Sequence, residues 1–213
     1  MTPTQSATGA PGIPWTALAS FLPHLVWAGI VVWLLVWIGR EPIVSLFGRI
    51  QKLGFAGVAI EFKEALEKAA ASRGAEVSSV DLGRASRRLA RDVKLIQGAR
   101  LLWIDDNPHN NREEIALFEA AGARVETQTT TEGARENLNR RMPDVILSDI
   151  ARGEDQKAGL RFADEVAADG KAPPIIFYVG AAAKPLPISA FGLTDRPDEL
   201  VHLVLDALAR HRE

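Results

Sequence analysis

The 213-residue sequence has no cysteine, which excludes disulfides, a thiolate nucleophile and any cysteine-ligated zinc or iron–sulfur centre. Histidine is sparse: His24, His109, His202 and His211 are scattered along the chain and argue against a histidine-rich metal site. Neither sign of charge dominates, since 25 Lys and Arg face 27 Asp and Glu for a formal net charge of −2. Bulk attraction to nucleic acid is therefore not expected. A Gly-x-Ser-x-Gly elbow, a Walker A loop and a Gly-x-Gly-x-x-Gly fingerprint are also missing, which removes the commonest signatures of hydrolases, nucleotide-dependent enzymes and dinucleotide binding.

One further absence is local. No Asp, Glu, Lys or Arg occurs before Arg40, and residues 15–39 read WTALASFLPHLVWAGIVVWLLVWIG. A bilayer core needs about 20 apolar residues as a helix, so this segment is expected to span a membrane. Four of the five tryptophans lie within it, with Trp15 and Trp37 placed where aromatic belts form. A cleaved signal peptide would carry a basic start, whereas the residues before this run are uncharged. Arg40, Arg49 and Lys52 follow it, and the positive-inside bias puts residues 1–14 outside the cell and the remainder in the cytoplasm, at the inner membrane.

Residues 40–97 read as a helical connector. The run 55–62 (FAGVAIEF) alternates and predicts a short strand; residues 63–72 read as helix, ended by Gly74. A clearer helix comes next, with Leu82, Ala85, Leu89, Val93 and Ile96 on one stripe and Ser79 or Asp81 as its cap. Its other side carries Arg84, Arg87, Arg88, Arg91 and Lys94. That face suits an anionic lipid surface, a homodimer through the same helix, or plain solvation.

From residue 98 to 213 the pattern alternates. Strands are expected at 100–104, 124–127, 144–148, 174–179 and 191–194, and helices at 112–121, 131–141, 159–168 and 197–210. This rhythm implies an α/β domain with a five-stranded parallel, doubly wound sheet. Binding crevices of such sheets lie beyond the carboxyl ends of the strands. Asp105, Asp106 and Asp149 all fall there. Three crowded carboxylates repel one another unless a cation offsets them, and an all-oxygen set suits a hard ion such as Mg²⁺, which needs only one or two carboxylates.

The stretches LLWIDDNP (101–108), DVILSDI (144–150), PPIIFYVG (173–180) and FGLTDRPDEL (191–200) resemble the receiver domains of two-component response regulators. The resemblance covers about residues 99–210 and implies a flavodoxin-like fold. It implies that Asp149 is the phosphoacceptor, and that Asp105, Asp106, Asp149 and the backbone carbonyl of Ala151 hold Mg²⁺. A histidine kinase or phosphotransfer protein would be the donor. Where receivers place Ser or Thr after the fourth strand this chain has Val179, beside Tyr178; where they place Lys-Pro it has Arg196-Pro197, with Lys184-Pro185 as a rival. Arg196 keeps the charge for a phosphate contact but in a different shape. The loop 150–158 is long and lacks Met-Pro.

Two functions are expected from these residues: a membrane-anchored phosphorelay receiver, or a pseudo-receiver that docks partners without phosphorylation. A turnover enzyme is not expected, because phosphoaspartyl phosphatases carry a second Asp two residues after the nucleophile and Ala151 stands there. With 16 residues after Pro197, output through a protein partner is expected rather than through DNA.

Overall fold

Five short strands pair into one parallel sheet in the computed structural model, in the order β2-β1-β3-β4-β5. The structure describes residues 40–168, 172–180 and 188–211, with side chains from residue 54 onward. The proposed span 15–39 and Lys184-Pro185 lie outside the described residues; among the described ones, no helix is long and apolar enough to cross a membrane. The chain divides into two compact units, Met1–Lys52 and Leu53–Glu213. Of the first, only helical backbone at residues 40–52 is described. The sheet belongs to the second.

The elements are α1 (Arg40–Arg73), α2 (Ser79–Arg91), α3 (Val93–Ile96), β1 (Arg100–Ile104), α4 (Arg112–Ala120), β2 (Arg124–Gln128), α5 (Thr131–Arg140), β3 (Val145–Ser148), α6 (Ala158–Ala168), β4 (Ile175–Tyr178), β5 (Gly192–Thr194) and α7 (Pro197–His211), with a 3₁₀ turn (Pro108–Asn111) before α4. The expected β/α alternation is present, with boundaries moved by a residue or two. Side chains alternate across a strand, so β1, β3 and β4 feed two cores. Leu101, Trp103, Val145, Leu147, Ile176 and Tyr178 face one side, with α4 and α7. Leu102, Ile104, Ile146, Ile175 and Phe177 face the other, with α5 and α6.

The strand expected at 55–62 is instead part of α1. Alternation there competes with a helical stripe, Ala59, Phe62, Leu66, Ala69 and Ala70, every member of which is buried. The residues that made the alternation look apolar, Phe55, Val58 and Ile60, are exposed. The stripe wins because it continues for three turns and finds a partner surface. Residues of α1 and α2 join the same core cluster as β1, β3 and α7.

The second connector helix breaks in two at Asp92, where α2 ends and α3 begins. Its cap is Ser78, one residue earlier than expected, whose hydroxyl accepts the Asp81 amide at 3.1 Å. Leu82, Ala85, Leu89 and Ile96 are all buried. The basic face is divided. The side chains of Arg84 and Arg91 are in solvent (68% and 66% exposed), while Arg88 reaches α7, where it ion-pairs Asp206 and meets the His202 ring at 3.1 Å.

Leu89 sits at full burial in the α2 stripe. Leu89→Ala is expected to destabilise the protein by about 2–5 kcal/mol in denaturant unfolding, as for other buried leucines. A change below about 0.5 kcal/mol, the level of a surface substitution, would mean that α2 does not share this core.

Candidate functional site

The acidic edge is a product of register. Ile104 of β1 pairs with Ser148 of β3, and the next residue on each strand is an aspartate, Asp105 and Asp149. The Asp149 amide still donates to the Ile104 carbonyl at 2.9 Å, and the Asp105 amide to the Gln128 carbonyl of β2 at 3.0 Å. Both carboxylates therefore leave the sheet at the same height.

Asp105 is buried (8% exposed), and both of its oxygens are engaged. Oδ1 accepts the Asn107 amide at 2.7 Å and Oδ2 accepts Asn111 Nδ2 at 2.6 Å. Asp106 is exposed and its Oδ2 accepts the Gly153 amide at 2.6 Å, tying the 150–158 loop to the end of β1. Asp149 is half-buried, and its Oδ1 accepts the following amide, of Ile150, at 2.7 Å. Asp106 Oδ1 and Asp149 Oδ2 take no hydrogen bond among the described residues.

Burial pushes the Asp149 carboxyl above the ordinary aspartate range; the Ile150 amide opposes this, and the charges of Asp105 and Asp106 add to it. Asp149 thus feels the other two acids. They do not form a closed cage: among the described residues no three His, Cys, Asp or Glu side chains are gathered to hold an ion. An ion that takes one or two carboxylates and keeps its waters does not require such a cage. The two unengaged oxygens, together with the repulsion felt at Asp149, fit Mg²⁺ of that kind. Ala151 is half-buried, and its carbonyl accepts no backbone hydrogen bond among the described residues.

Sequence reasoning gave no part to Arg152. Its side chain turns inward from the loop and is 8% exposed. Nη1 donates to Thr131 Oγ1 at 2.8 Å, and Nη2 to Ser148 Oγ at 2.5 Å and to the Asp149 carbonyl at 3.4 Å. All three acceptors are neutral, and Arg152 Nε is buried without a partner. Burial lowers the guanidinium's pKa, while Asp149, Asp105 and Asp106, in that order, raise it. No composition or spacing signal marks an arginine three positions after an aspartate; only the folded loop reveals it.

Tyr178, Val179 and Arg196, the departures noted in the sequence, are each engaged by groups other than the three acids. Tyr178 faces the opposite core: its hydroxyl donates to Glu114 Oε1 at 2.7 Å in a buried pair, and strand alternation is the reason. Val179 is buried and its carbonyl is held at 2.8 Å by Arg73, the last residue of α1. The same guanidinium donates to Asn111 Oδ1 at 3.0 Å and lies 4.0 Å over the Tyr178 ring. Because Asn111 also holds Asp105, α1 is wired to the acidic edge through one amide side chain. Arg196 pairs with Asp198 at 2.7 Å, Glu199 at 3.5 Å and Asp81 of α2 at 3.6 Å. None of these ion pairs is with Asp105, Asp106 or Asp149.

Beside the acids opens a cavity of about 480 Å³, lined among others by Asp106, Thr130, Thr131, Arg152, Gly153 and Phe162. The turn into α6 demands glycine at 159, since a Cβ there would collide with the Asp149 carbonyl oxygen and lie 2.9 Å from Ile150 Cα.

No protein-family model matches the chain, and no curated protein does. Solved structures do. A response regulator receiver domain protein from Clostridium thermocellum is 18% identical, with 54% of this chain and 97% of that one covered at a TM-score of 0.46. The N-terminal domain of a response regulator/sensory box/GGDEF three-domain protein from Carboxydothermus hydrogenoformans is 21% identical, covering 53% and 96% at 0.46. A chemotaxis response regulator of Vibrio cholerae is 22% identical, covering 54% and 99% at 0.41. The likeness is distant and spans about half of this chain; the fold assignment rests on the strand order and parallel pairing described above.

Two outcomes are expected. Gly159→Ala should cost about 1–3 kcal/mol, the usual effect of forcing atoms into filled space, because backbone rather than a side-chain tip must move. A carboxyl whose folded pKa exceeds its unfolded value weakens the fold as pH rises between the two, and the loss is complete above the folded value. Asp149→Asn is therefore expected to raise Tm at pH 7 and to leave it unchanged below the aspartate range, as measured by thermal unfolding across pH.

Proposed function

We propose that this chain is a receiver-type signalling module in which Asp149 accepts a phosphoryl group from a phosphohistidine donor, a histidine kinase or a phosphotransfer protein. The observation that carries the reading is Asp149 at the carboxyl end of β3, beside Asp105, with Oδ2 free of any hydrogen bond among the described residues. In the transfer, that oxygen attacks phosphorus, the phosphorus–nitrogen bond of the donor breaks, and the imidazole keeps the electron pair; the product is an aspartyl phosphate. Mg²⁺, held by the unengaged oxygens of Asp106 and Asp149 and by the Ala151 carbonyl, with Asp105 beside it, would neutralise the phosphoryl oxygens. Asn111 and the Asn107 amide hold Asp105 in place for this, and the Gly153 amide holds Asp106.

The added charge, about −1.5 to −2, would be read by a protein partner. Anchoring through residues 15–39 is proposed from their apolar sequence, with the module on the cytoplasmic side. A second reading has specific support: with Val179 lacking a hydroxyl and Arg196 engaged by Asp198, a phosphorylation-independent docking module is the alternative.

Full-length protein incubated with acetyl phosphate is expected to gain one phosphoryl group in intact-mass analysis only when Mg²⁺ is present. Asp149→Asn should abolish the gain, and Asp106→Asn should slow it about tenfold or more, the scale of a lost charge interaction at a reacting phosphoryl group. Absence of labelling in the wild type would leave the docking module standing. For the anchor, the full chain should pellet with membranes and a variant lacking residues 1–39 should not.

A further inference from the structure

Arg152 breaks a general rule. A buried charge is ordinarily matched by an opposite charge or neutralised by proton loss, and a guanidinium does not lose its proton readily. Yet its three hydrogen bonds end on two hydroxyls and a carbonyl, its Nε has no partner, and among the described residues it forms no ion pair within 4.0 Å. The contrast with its neighbours is sharp: around the same cavity Arg135 is clamped by Glu165 and Glu132, and Arg161 by Asp155. Arg152 alone of these three keeps its charge unspent, and the acids whose fields reach it most strongly are Asp149, Asp105 and Asp106.

The position is fixed from several sides. Ser148 belongs to β3, Thr131 opens α5, and the Phe162 ring of α6 lies 5.8 Å from the guanidinium carbon. The Arg152 amide and carbonyl exchange hydrogen bonds with those of Asp155, both 3.0 Å long, so the loop is pinned as a small ladder that points the side chain inward. The Gly153 amide then binds Asp106. A side chain held this way cannot wander to solvent, and its charge acts through a low-dielectric interior where fields carry further than in water.

We propose that Arg152 is the built-in counter-charge of the acidic edge: a positioning residue that offsets one of the three carboxylate charges and favours an anionic phosphoryl group on Asp149. It takes over electrostatic work for which Arg196, paired with Asp198 and Asp81, is not free. The proposal rests on Asp149 as phosphoacceptor. Its consequence is a pair of effects of opposite sign. A fixed cation beside the acids opposes a divalent cation and favours an anion, so its removal must help the first and harm the second.

The test uses the full chain with wild type, Arg152→Gln, Arg152→Lys and Thr131→Val. Calorimetric titration with MgCl₂ alone should show binding roughly three- to tenfold tighter in Arg152→Gln, the size of one partly screened charge at short range. Labelling by acetyl phosphate at saturating Mg²⁺, followed by intact mass, should be slower by a similar or larger factor in the same variant. Arg152→Lys should stay near wild type in both, whereas Thr131→Val, which keeps the charge but loses one of the acceptors that hold it, should shift both in the direction of Arg152→Gln by a smaller factor. If Arg152→Gln weakens both processes, or changes neither, Arg152 is only a packing element and the proposal falls. If the wild type is not labelled, the phosphoacceptor reading fails and the phosphoryl part of the proposal fails with it. The Mg²⁺ arm still decides whether Arg152 offsets the acids: unchanged affinity in Arg152→Gln overturns that part too.

Discussion

The parallel pairing of β1 with β3, Leu101 with Val145 through Ile104 with Ser148, is the constraint on which the rest depends. Strand polarity puts both carboxyl ends on one edge, and the register puts the two next residues level. Slipped by one residue, the pairing would turn apolar side chains to the wrong face, and Asp149 would no longer stand beside Asp105. The acidic edge is therefore kept by the same burial of Leu102, Ile146, Trp103 and Leu147 that holds the sheet.

Like charges gathered at such an edge must be offset, and two devices share the task. Hydrogen bonds from Asn107, Asn111, Ile150 and Gly153 reach the three carboxylates. A buried guanidinium, Arg152, sits among neutral acceptors close by. What the neutral donors cannot remove is the mutual repulsion, which adds to burial in keeping the Asp149 carboxyl above its ordinary range.

The segment ahead of β1 is built into this arrangement. Phe62, Leu66 and Ala69 of α1 and Leu82, Ala85 and Leu89 of α2 are buried with the sheet, and Arg73 closes α1 by grasping Asn111 and the Val179 carbonyl. Much of this was legible in the residues: the α2 stripe at spacings of three and four, the apolar strand runs, the aspartates that end them. The α1 stripe was harder to see, because FAGVAIEF satisfies a two-residue period and a helical period at once, and only the surface available for packing chose between them. Tyr178 and Arg196 were legible as polar groups near the edge, but a sequence does not state which way a side chain leaves its strand or which carboxylate claims it.

By itself the sequence determined the order of elements from residue 98 onward, their apolar faces and the placing of three acids at strand ends, because these come from local periodicity and chain direction. Tertiary structure alone decided the partners. Arg152, Arg73 and Asn111 are held by contacts between separate elements, such as that of Arg73 with Val179, 106 positions further along the chain. Such long-range pairings depend on the geometry of packed layers, on which faces meet and at what height, and no local pattern encodes that.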